Sequence, residues 1–217
     1  MPRRTPLTRP RILAAAVDLI NADGDVSMRA LATRLSVTPM ALYKHYPNKD
    51  ALLLDVVEEI SRDLSLPAEE HDPVADSAAV ARGLHDFLAG HPWMVRLIAT
   101  GQLASPRGFD VSDRLIRAAR QAGLDDAAAF TFYRTMFATV LGQVTITATR
   151  TEREAAGTGD TGGTGGTAVQ HVADRAADAV PAGLADSWAD LDRATGPDEV
   201  FATVAAVLGA PPQSWRP

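Results

Sequence analysis

A run of small, aromatic and basic side chains near the start of the chain has the chemistry needed to contact DNA. Pro39 opens this run at a position that suits a first helical turn, and Pro47 closes it because the residue before a proline disfavours helical backbone. Leu42 and Tyr46 are its inward positions. Basic and hydroxyl groups bind phosphates, whereas small and polar groups contact base edges in a major groove. The outward candidates are Thr38, Pro39, Met40, Ala41, Tyr43, Lys44 and His45.

Several of these cations and aromatic residues have two interpretations. Tyr43 and His45 either contact phosphates, which their outward position favours, or pack the turn. Lys49 begins the next predicted helix, where a cation opposes the helix dipole. A DNA phosphate bound by its ammonium and by the free helix N–H groups would explain that position. Arg29 points outward from the preceding helix, either toward DNA or into solvent.

Two short helices joined by a tight turn would position these side chains. An apolar stripe with i, i+3, i+4, i+7 spacing predicts the first helix, and its members are Met28, Leu31, Ala32 and Leu35. Ser36 and Val37 form the turn, and the Thr38 hydroxyl can cap the second helix. An amphipathic helix from about residue 8 to residue 21 would cover the pair. This is the arrangement of a helix-turn-helix, whose second helix enters a major groove.

Charge is distributed unevenly along the chain. Residues 1–50 carry eight Lys and Arg against four Asp and Glu, whereas the rest of the chain carries 13 against 23. The net charge of −6 and the pI near 5.3 therefore conceal a basic N-terminal segment, which is sufficient for contact with a few phosphates. The basic arm at the start is either a solvated tail or a contact to a groove or phosphate, and it contains Arg3, Arg4, Arg9 and Arg11.

The segment SMRALATRLSVTPMALYKHYPNKDALL, with its core ALYKHYPNK, resembles the DNA-binding domain of the tetracycline-repressor (TetR) family of transcriptional regulators. The resemblance includes the preceding helix, covers about the first quarter of the chain, and implies a DNA contact at Arg29. Ser36 stands where that family more often has glycine. The turn commonly needs left-handed backbone there, which costs a serine about 1 kcal/mol.

The remainder of the chain is predicted to be helical. Asn48 can cap a linking helix over residues 48–66, which Pro67 ends, and residues 65–75 form a loop. Further helices are predicted at about 76–89, 93–100, 107–122 and 125–154, more weakly at 168–179 and 182–194, and finally from Pro197 onward. Residues 155–167 are rich in Gly and Thr and are predicted to form a flexible loop.

The order of segments after residue 75 is similar to the C-terminal regulatory domain of the tetracycline repressor. There the long helix and the last helix form a four-helix bundle with a second subunit, so the resemblance implies a homodimer. The apolar surface of the two helices points the same way, since it exceeds what one small body would cover. Its residues could instead be monomer core; they include Phe130, Tyr133, Phe137, Val140 and Val144, then Phe201, Val204, Ala205 and Leu208.

Aromatic and apolar side chains of the body predict a pocket for a small molecule, although each could equally be plain core. The candidates are Phe87, Trp93, Met94, Phe130, Tyr133, Phe137 and Gln143. Alignment to the tetracycline repressor puts Gly101 and Ile146 near the histidine and glutamate that serve its drug-bound magnesium. Neither residue can coordinate a metal. The resemblance therefore implies an apolar or aromatic effector bound without metal or cofactor, and no induction by tetracycline.

Catalytic, metal and membrane functions find little support. The run GTGDTGGTGG lacks the preceding strand and following lysine of a phosphate loop and is better explained as a tether. The histidines lack metal-ligand spacing, and no serine lies in a nucleophile motif. The absence of cysteine fits a reducing compartment, and neither a long apolar run nor a signal peptide is evident. We therefore expect a cytoplasmic protein that is not an enzyme and has no membrane partner.

The motif and the resemblance together predict an all-α protein with two domains. Residues 1–47 form a three-helix helix-turn-helix head, and residues 48–217 form a ligand-binding and dimerisation body. The predicted function is a dimeric transcriptional regulator, a repressor that a small-molecule effector releases from a palindromic double-stranded DNA operator. The alternative is a small-molecule-binding helical protein without a specific DNA-binding role.

Overall fold

The computed structural model describes residues 6–99, 106–155 and 195–209, and these residues confirm the all-α class. The elements are α1 (Arg9–Asp23), α2 (Met28–Leu35), α3 (Pro39–Tyr43), α4 (Lys49–Ser61), α5 (Pro73–Ala89), α6 (Pro92–Ala99), α7 (Pro106–Gln121), α8 (Asp126–Ala155), α9 (Pro197–Ala205) and a 3₁₀ turn (Ala206–Leu208). Outside the described residues lie Arg3, Arg4 and Gly101, the helices predicted at 168–179 and 182–194, and all of the predicted 155–167 loop except Ala155, which ends α8.

Local capping fixes where the first helices begin. The side chains of Ser27 and Asn48 accept hydrogen bonds from the amides of Ala30 at 3.1 Å and Ala51 at 2.8 Å, as Asn48 was predicted to do. Ser36 adopts left-handed backbone with φ 55°, which confirms the conformational demand of that turn. The prediction for Thr38 was wrong in part. Thr38 occupies the N-cap position of α3, but its hydroxyl makes no capping hydrogen bond.

The first three helices and α4 share one apolar core. Leu31 and Leu42 are fully buried, and Ile12 and Ile20 of α1 cover them as the amphipathic pattern predicted. Tyr46 is also buried, although α3 ends earlier than Pro47, at Tyr43. Its hydroxyl donates a hydrogen bond to Asp55 of α4 at 2.9 Å. The segment that follows α3 is thus anchored to α4.

The connection between α4 and α5 differs from the sequence prediction at both ends. The linking helix ends at Ser61 instead of continuing to residue 66, and α5 begins at Pro73, capped by Asp72, three residues before the predicted start. Two tertiary contacts explain the early end of α4. Arg114 of α7 donates a hydrogen bond to the backbone carbonyl of Ala68 at 2.8 Å. Pro67 packs so closely against Gly83 of α5 that a Cβ on Gly83 would lie 3.2 Å from the Pro67 side chain.

The inward face of α8 coincides only in part with the predicted apolar stripe, because Val140 and Val144 of that stripe are buried whereas Phe130 is not. Its buried residues are Ala129, Phe132, Met136, Val140 and Val144. Phe130 lies outside the core with 52% of its surface exposed. On the last segment, Phe201 and Leu208 are buried within the chain itself, and the Phe201 ring meets His85 edge-on at 5.8 Å. These two residues are therefore core, which corrects their assignment to a surface between subunits.

Candidate functional site

The outer face of α3 presents most of the predicted DNA-contacting side chains to solvent. Met40 is 70% exposed and Tyr43 is 47% exposed, which is unusual for apolar side chains of this size. The other exposed members are Thr38, Pro39 and Lys44, while Ala41 and His45 are half-buried. Leu42 and Tyr46 lie on the opposite, buried side and anchor α3 in the core of the head. The helix is thus fastened by its inner residues, and its outer residues remain available.

The cations around α3 have different degrees of restraint. Arg29 is exposed on α2. Arg9 lies at the start of α1, donates to the backbone carbonyl of His45 at 3.1 Å, and sits 5.2 Å from the centre of the Tyr46 ring. A cation over an aromatic face is a stabilising contact. Arg9 therefore joins α1 to the residues that follow α3, and it is not part of the solvated basic arm that was one interpretation of the sequence.

Lys49 has a protein partner that the sequence interpretation did not include. Its ammonium donates a 2.7 Å hydrogen bond to the carboxylate of Asp25, which lies in the turn between α1 and α2. The cation at the start of α4 is thus stabilised by the protein itself, so its position requires no phosphate as an explanation. Hydrogen bonding from Lys49 in turn lowers the pKa of Asp25, against an opposing effect of partial burial.

A cavity of about 210 Å³ lies in the body, enclosed by helices α4 to α8. Four of the seven predicted effector residues line it: Phe87, Met94, Tyr133 and Phe137. Its remaining walls, which the sequence interpretation missed, are Val57, Ser61, Leu64, Leu84, Leu88, Ile98, Gly108, Phe109, Val111 and Ser112. The apolar stripe of the predicted linking helix was the available signal for Val57 and Leu64, but that helix was assigned only to a link between domains.

The other three predicted effector residues lie elsewhere. Phe130 borders a shallow depression on the outer face of α8, and Gln143 is half-buried without lining the cavity. Trp93 lines a separate crevice of about 600 Å³ between the end of α1, α6 and the second half of α8. Among the described residues its indole nitrogen is buried without a hydrogen-bond partner. Ile146 is 52% exposed and does not line the cavity.

Two kinds of feature are not found within the parts of the chain that the structure describes. No cluster of three or more His, Asp or Glu side chains is arranged to hold a metal ion. No helix combines the length and apolar character that a bilayer-spanning segment requires.

Two family models match the chain, one near its start and the other over most of the remainder. "Bacterial regulatory proteins, tetR family" matches residues 12–56, and "Tetracyclin repressor-like, C-terminal domain" matches residues 66–204. The chain belongs to the TetR family. A relative described as an HTH-type transcriptional regulator, from Saccharopolyspora erythraea, is 30% identical over 206 residues, covering 94% of this chain and 86% of the relative. The chain is accordingly a TetR-family DNA-binding transcriptional regulator.

Solved structures of TetR-family proteins share the fold. BioQ from Mycobacterium smegmatis is 33% identical with a TM-score of 0.61, covering 70% of this chain and 86% of that one. BioQ has also been solved with its double-stranded DNA operator, at 32% identity and a TM-score of 0.59 over 70% of this chain and 93% of that chain. Streptomyces coelicolor ActR in complex with actinorhodin, at 22% identity and a TM-score of 0.65, covers 95% of this chain and 97% of its own and supports the fold alone.

Proposed function

We propose that this regulator is a repressor that binds a palindromic operator as a homodimer and is released by a small-molecule effector. In this proposal, residues 1–47 are the DNA-binding head and residues 48–217 are the effector-binding and dimerisation body. The protein works in the cytoplasm, where its operator lies, and its role is regulatory instead of catalytic.

The observation that carries the DNA-binding role is the exposed outer face of α3 on a fully packed head. Solvent-exposed Met40 and Tyr43 have no structural task in the free chain, because the core positions belong to Leu42 and Tyr46. In the proposed complex Thr38, Met40 and Ala41 meet base edges, and Tyr43, Lys44, His45, Arg29 and Lys49 meet phosphates. The solved complex of BioQ with its operator, at 32% identity, supports the DNA-binding role itself.

The proposed dimer uses the outer face of α8 and its neighbour α9. Apolar side chains that the chain itself leaves half exposed lie at the two edges of the exposed side of α8, Phe130 near its start and Ile146 in its second half, and Val207 follows α9. Exposed apolar patches of this kind mark interaction surfaces, and a two-fold pair would bury the same patch of each subunit. Two heads of such a pair can dock in successive major grooves, about 34 Å apart.

The effector is proposed to bind in the 210 Å³ cavity. Its walls are apolar and aromatic, and the few polar groups at them include Ser61, Ser112 and the hydroxyl-bearing Tyr133, so an apolar or aromatic molecule fits without a metal. Because Val57 and Ser61 belong to α4, the helix that carries Lys49 at its other end, a ligand touches the link to the head directly. A ligand that prefers a different position of α4 lowers operator affinity by its differential affinity for that state.

A mobility-shift experiment with the DNA upstream of the protein's own gene tests the function. We expect a specific shift that Met40→Ala changes in base preference and that Lys44→Ala weakens for all sequences alike. Release is then screened with aromatic compounds and with tetracycline, each with and without magnesium. Binding that shows no sequence preference would favour the alternative, a small-molecule-binding helical protein, and magnesium-dependent release by tetracycline would refute the metal-free cavity.

A further inference from the structure

The carboxylate of Asp25 is held in a fixed place next to a proposed DNA contact. One of its oxygens accepts hydrogen bonds both from the Val26 amide at 2.8 Å and from the Lys49 ammonium at 2.7 Å. Val26 is 2% exposed, so the backbone that carries the carboxylate is anchored in the head core. Asp25 itself stays largely in solvent, where any phosphate that approaches Lys49 meets it.

A second cation, on the body, lies near the same carboxylate. Arg96, in the last turn of α6, lines the 600 Å³ crevice together with Gly24, the residue before Asp25. Its positive charge acts on Asp25 in the same direction as that of Lys49, since both lower the pKa of this carboxyl, although the Lys49 hydrogen bond is the larger cause. The anion at this junction is therefore bound by a cation of the head and lies within the influence of a cation of the body.

The helix that carries Arg96 also lines the effector cavity. Met94 and Ile98 of α6 are wall residues of that cavity, whereas Arg96 faces the crevice. In a helix, residues i and i+4 lie on one face and residue i+2 on the opposite face. A shift of α6 that enlarges or closes the cavity consequently moves Arg96 with respect to Asp25.

We propose that Asp25 is a positioning residue which competes with operator phosphate for Lys49, and that Arg96 tunes this competition. This inference rests on the proposed phosphate contact of Lys49. A carboxylate beside the site both occupies the ammonium and repels a phosphate, and a second cation nearby reduces both effects. When Arg96 moves away, Asp25 holds Lys49 more tightly and DNA binding weakens. The cavity and the DNA-binding face are thereby linked by charge as well as by helix movement.

The test measures binding of the full-length protein to a labelled 20-base-pair duplex of arbitrary sequence by fluorescence anisotropy over a series of salt concentrations. Asp25→Asn keeps the acceptor for Val26 and removes the charge, so we expect binding about fivefold tighter at low salt, the size of one unit charge at close range in water. Asp18→Asn is the matched control, because Asp18 pairs with Arg34 at 3.4 Å on the same head and loses the same charge. An equal gain in both variants would mean that net charge alone acts, and would overturn the proposal.

Two further variants separate this inference from the function on which it rests. Lys49→Ala should weaken binding, reduce the salt slope by about 1 and abolish the gain from Asp25→Asn. No effect of Lys49→Ala would refute the phosphate contact itself, whereas a loss on Lys49→Ala without any gain on Asp25→Asn would refute only the competition.

Arg96→Gln tests whether Arg96 affects the competition between Asp25 and phosphate for Lys49. We expect it to weaken DNA binding about twofold in the native background and not at all when Asp25 is already Asn, because the screening length limits its direct reach to DNA. An equal loss in both backgrounds would show that Arg96 acts on DNA without Asp25, and would refute the proposed action of Arg96 through Asp25.

Discussion

Asp76 of α5 and Arg114 of α7 form a bidentate ion pair in which both side chains are more than nine-tenths buried. The remaining guanidinium donors bind the carbonyls of Pro67 and Ala68, and Asp76 accepts a hydrogen bond from the Glu70 amide at 2.8 Å. Each of the three guanidinium nitrogens therefore has an acceptor. The pair fastens the chain that leaves α4 to two helices of the body, close to the walls of the cavity.

Removing one member of this pair should destabilise the protein strongly. We expect Arg114→Met to lower the free energy of unfolding by about 3–5 kcal/mol, because it leaves a buried carboxylate without its counter-ion. The double variant Asp76→Leu, Arg114→Met should recover most of that loss. Urea denaturation measures both. Arg117→Met is the control, since Arg117 pairs with Glu69 of the same loop at 3.0 Å but in solvent, and its loss should stay below about 1 kcal/mol.

The same pair predicts a loss of stability in acid. Burial by itself would raise the pKa of Asp76, but hydrogen bonds from Arg114 and Glu70 outweigh burial and hold the pKa below its ordinary value. A carboxyl whose folded pKa is lowered contributes stability above its unfolded pKa of about 4, and this contribution is lost as the pH falls through the folded pKa. Unfolding free energies at pH 7, 4 and 3 should decline more for the native chain than for the double variant. Equal declines would show that protonation of Asp76 does not cause the loss of stability in acid.

Ionisation of Tyr46 should cause a second loss of stability, at alkaline pH. Burial and the hydrogen bond to Asp55 raise its pKa to about 12. Since the folded pKa lies above the unfolded value of about 10, the stability from this group is complete below pH 10 and is lost as the pH rises toward 12. Tyr46→Phe should cost about 1.5–3 kcal/mol at pH 7, as for hydrogen bonds to charged groups, and should flatten the alkaline decline. A variant as stable as the native chain would show that the bond carries no net stabilisation.

The proposed dimer can be tested without disturbing the core. Ile146 is 52% exposed in the chain, so Ile146→Glu should leave folding intact while it places a charge in the proposed interface. We expect this variant to sediment as a monomer and to bind the operator much more weakly, since two linked heads gain affinity that separate heads lack. Leu54→Glu, on α4 with 46% exposure, is the control for sedimentation. A native chain that sediments as a monomer at micromolar concentration would refute the dimer.

Filling the cavity should block the effector without affecting DNA. Ser112 lines the cavity from α7 and is half-buried, so Ser112→Trp can place its indole in the 210 Å³ space. We expect this variant to bind the operator normally but to resist release, and to bind the apolar dye 1-anilinonaphthalene-8-sulfonate less than the native protein does. Ser112→Ala, which leaves the space open, should behave as the native chain. Undiminished dye binding by the Trp variant would place the ligand site elsewhere.

The features that could be predicted from the sequence depend on neighbouring residues. Asn48 caps the helix that it precedes, Pro39 opens α3, and the stripe from Met28 to Leu35 is buried. Each of these follows from hydrogen bonds or side-chain spacing within one or two turns. The DNA-binding motif is of the same kind, because a helix-turn-helix is a local unit. Its fold could therefore be derived before any tertiary contact was known.

Only the tertiary structure decided which of several possible partners each side chain meets. The long helix α8 carries large apolar side chains at several positions around its axis, so its periodicity could not show that Phe132 faces inward and Phe130 outward; packing against α5 and α7 selects between them. Lys49 meets Asp25 across 24 residues and Arg114 meets Asp76 across 38, distances at which no spacing rule operates. Such contacts form because closing the core brings distant charges together, and charges that become buried, as in the Asp76–Arg114 pair, must then be paired.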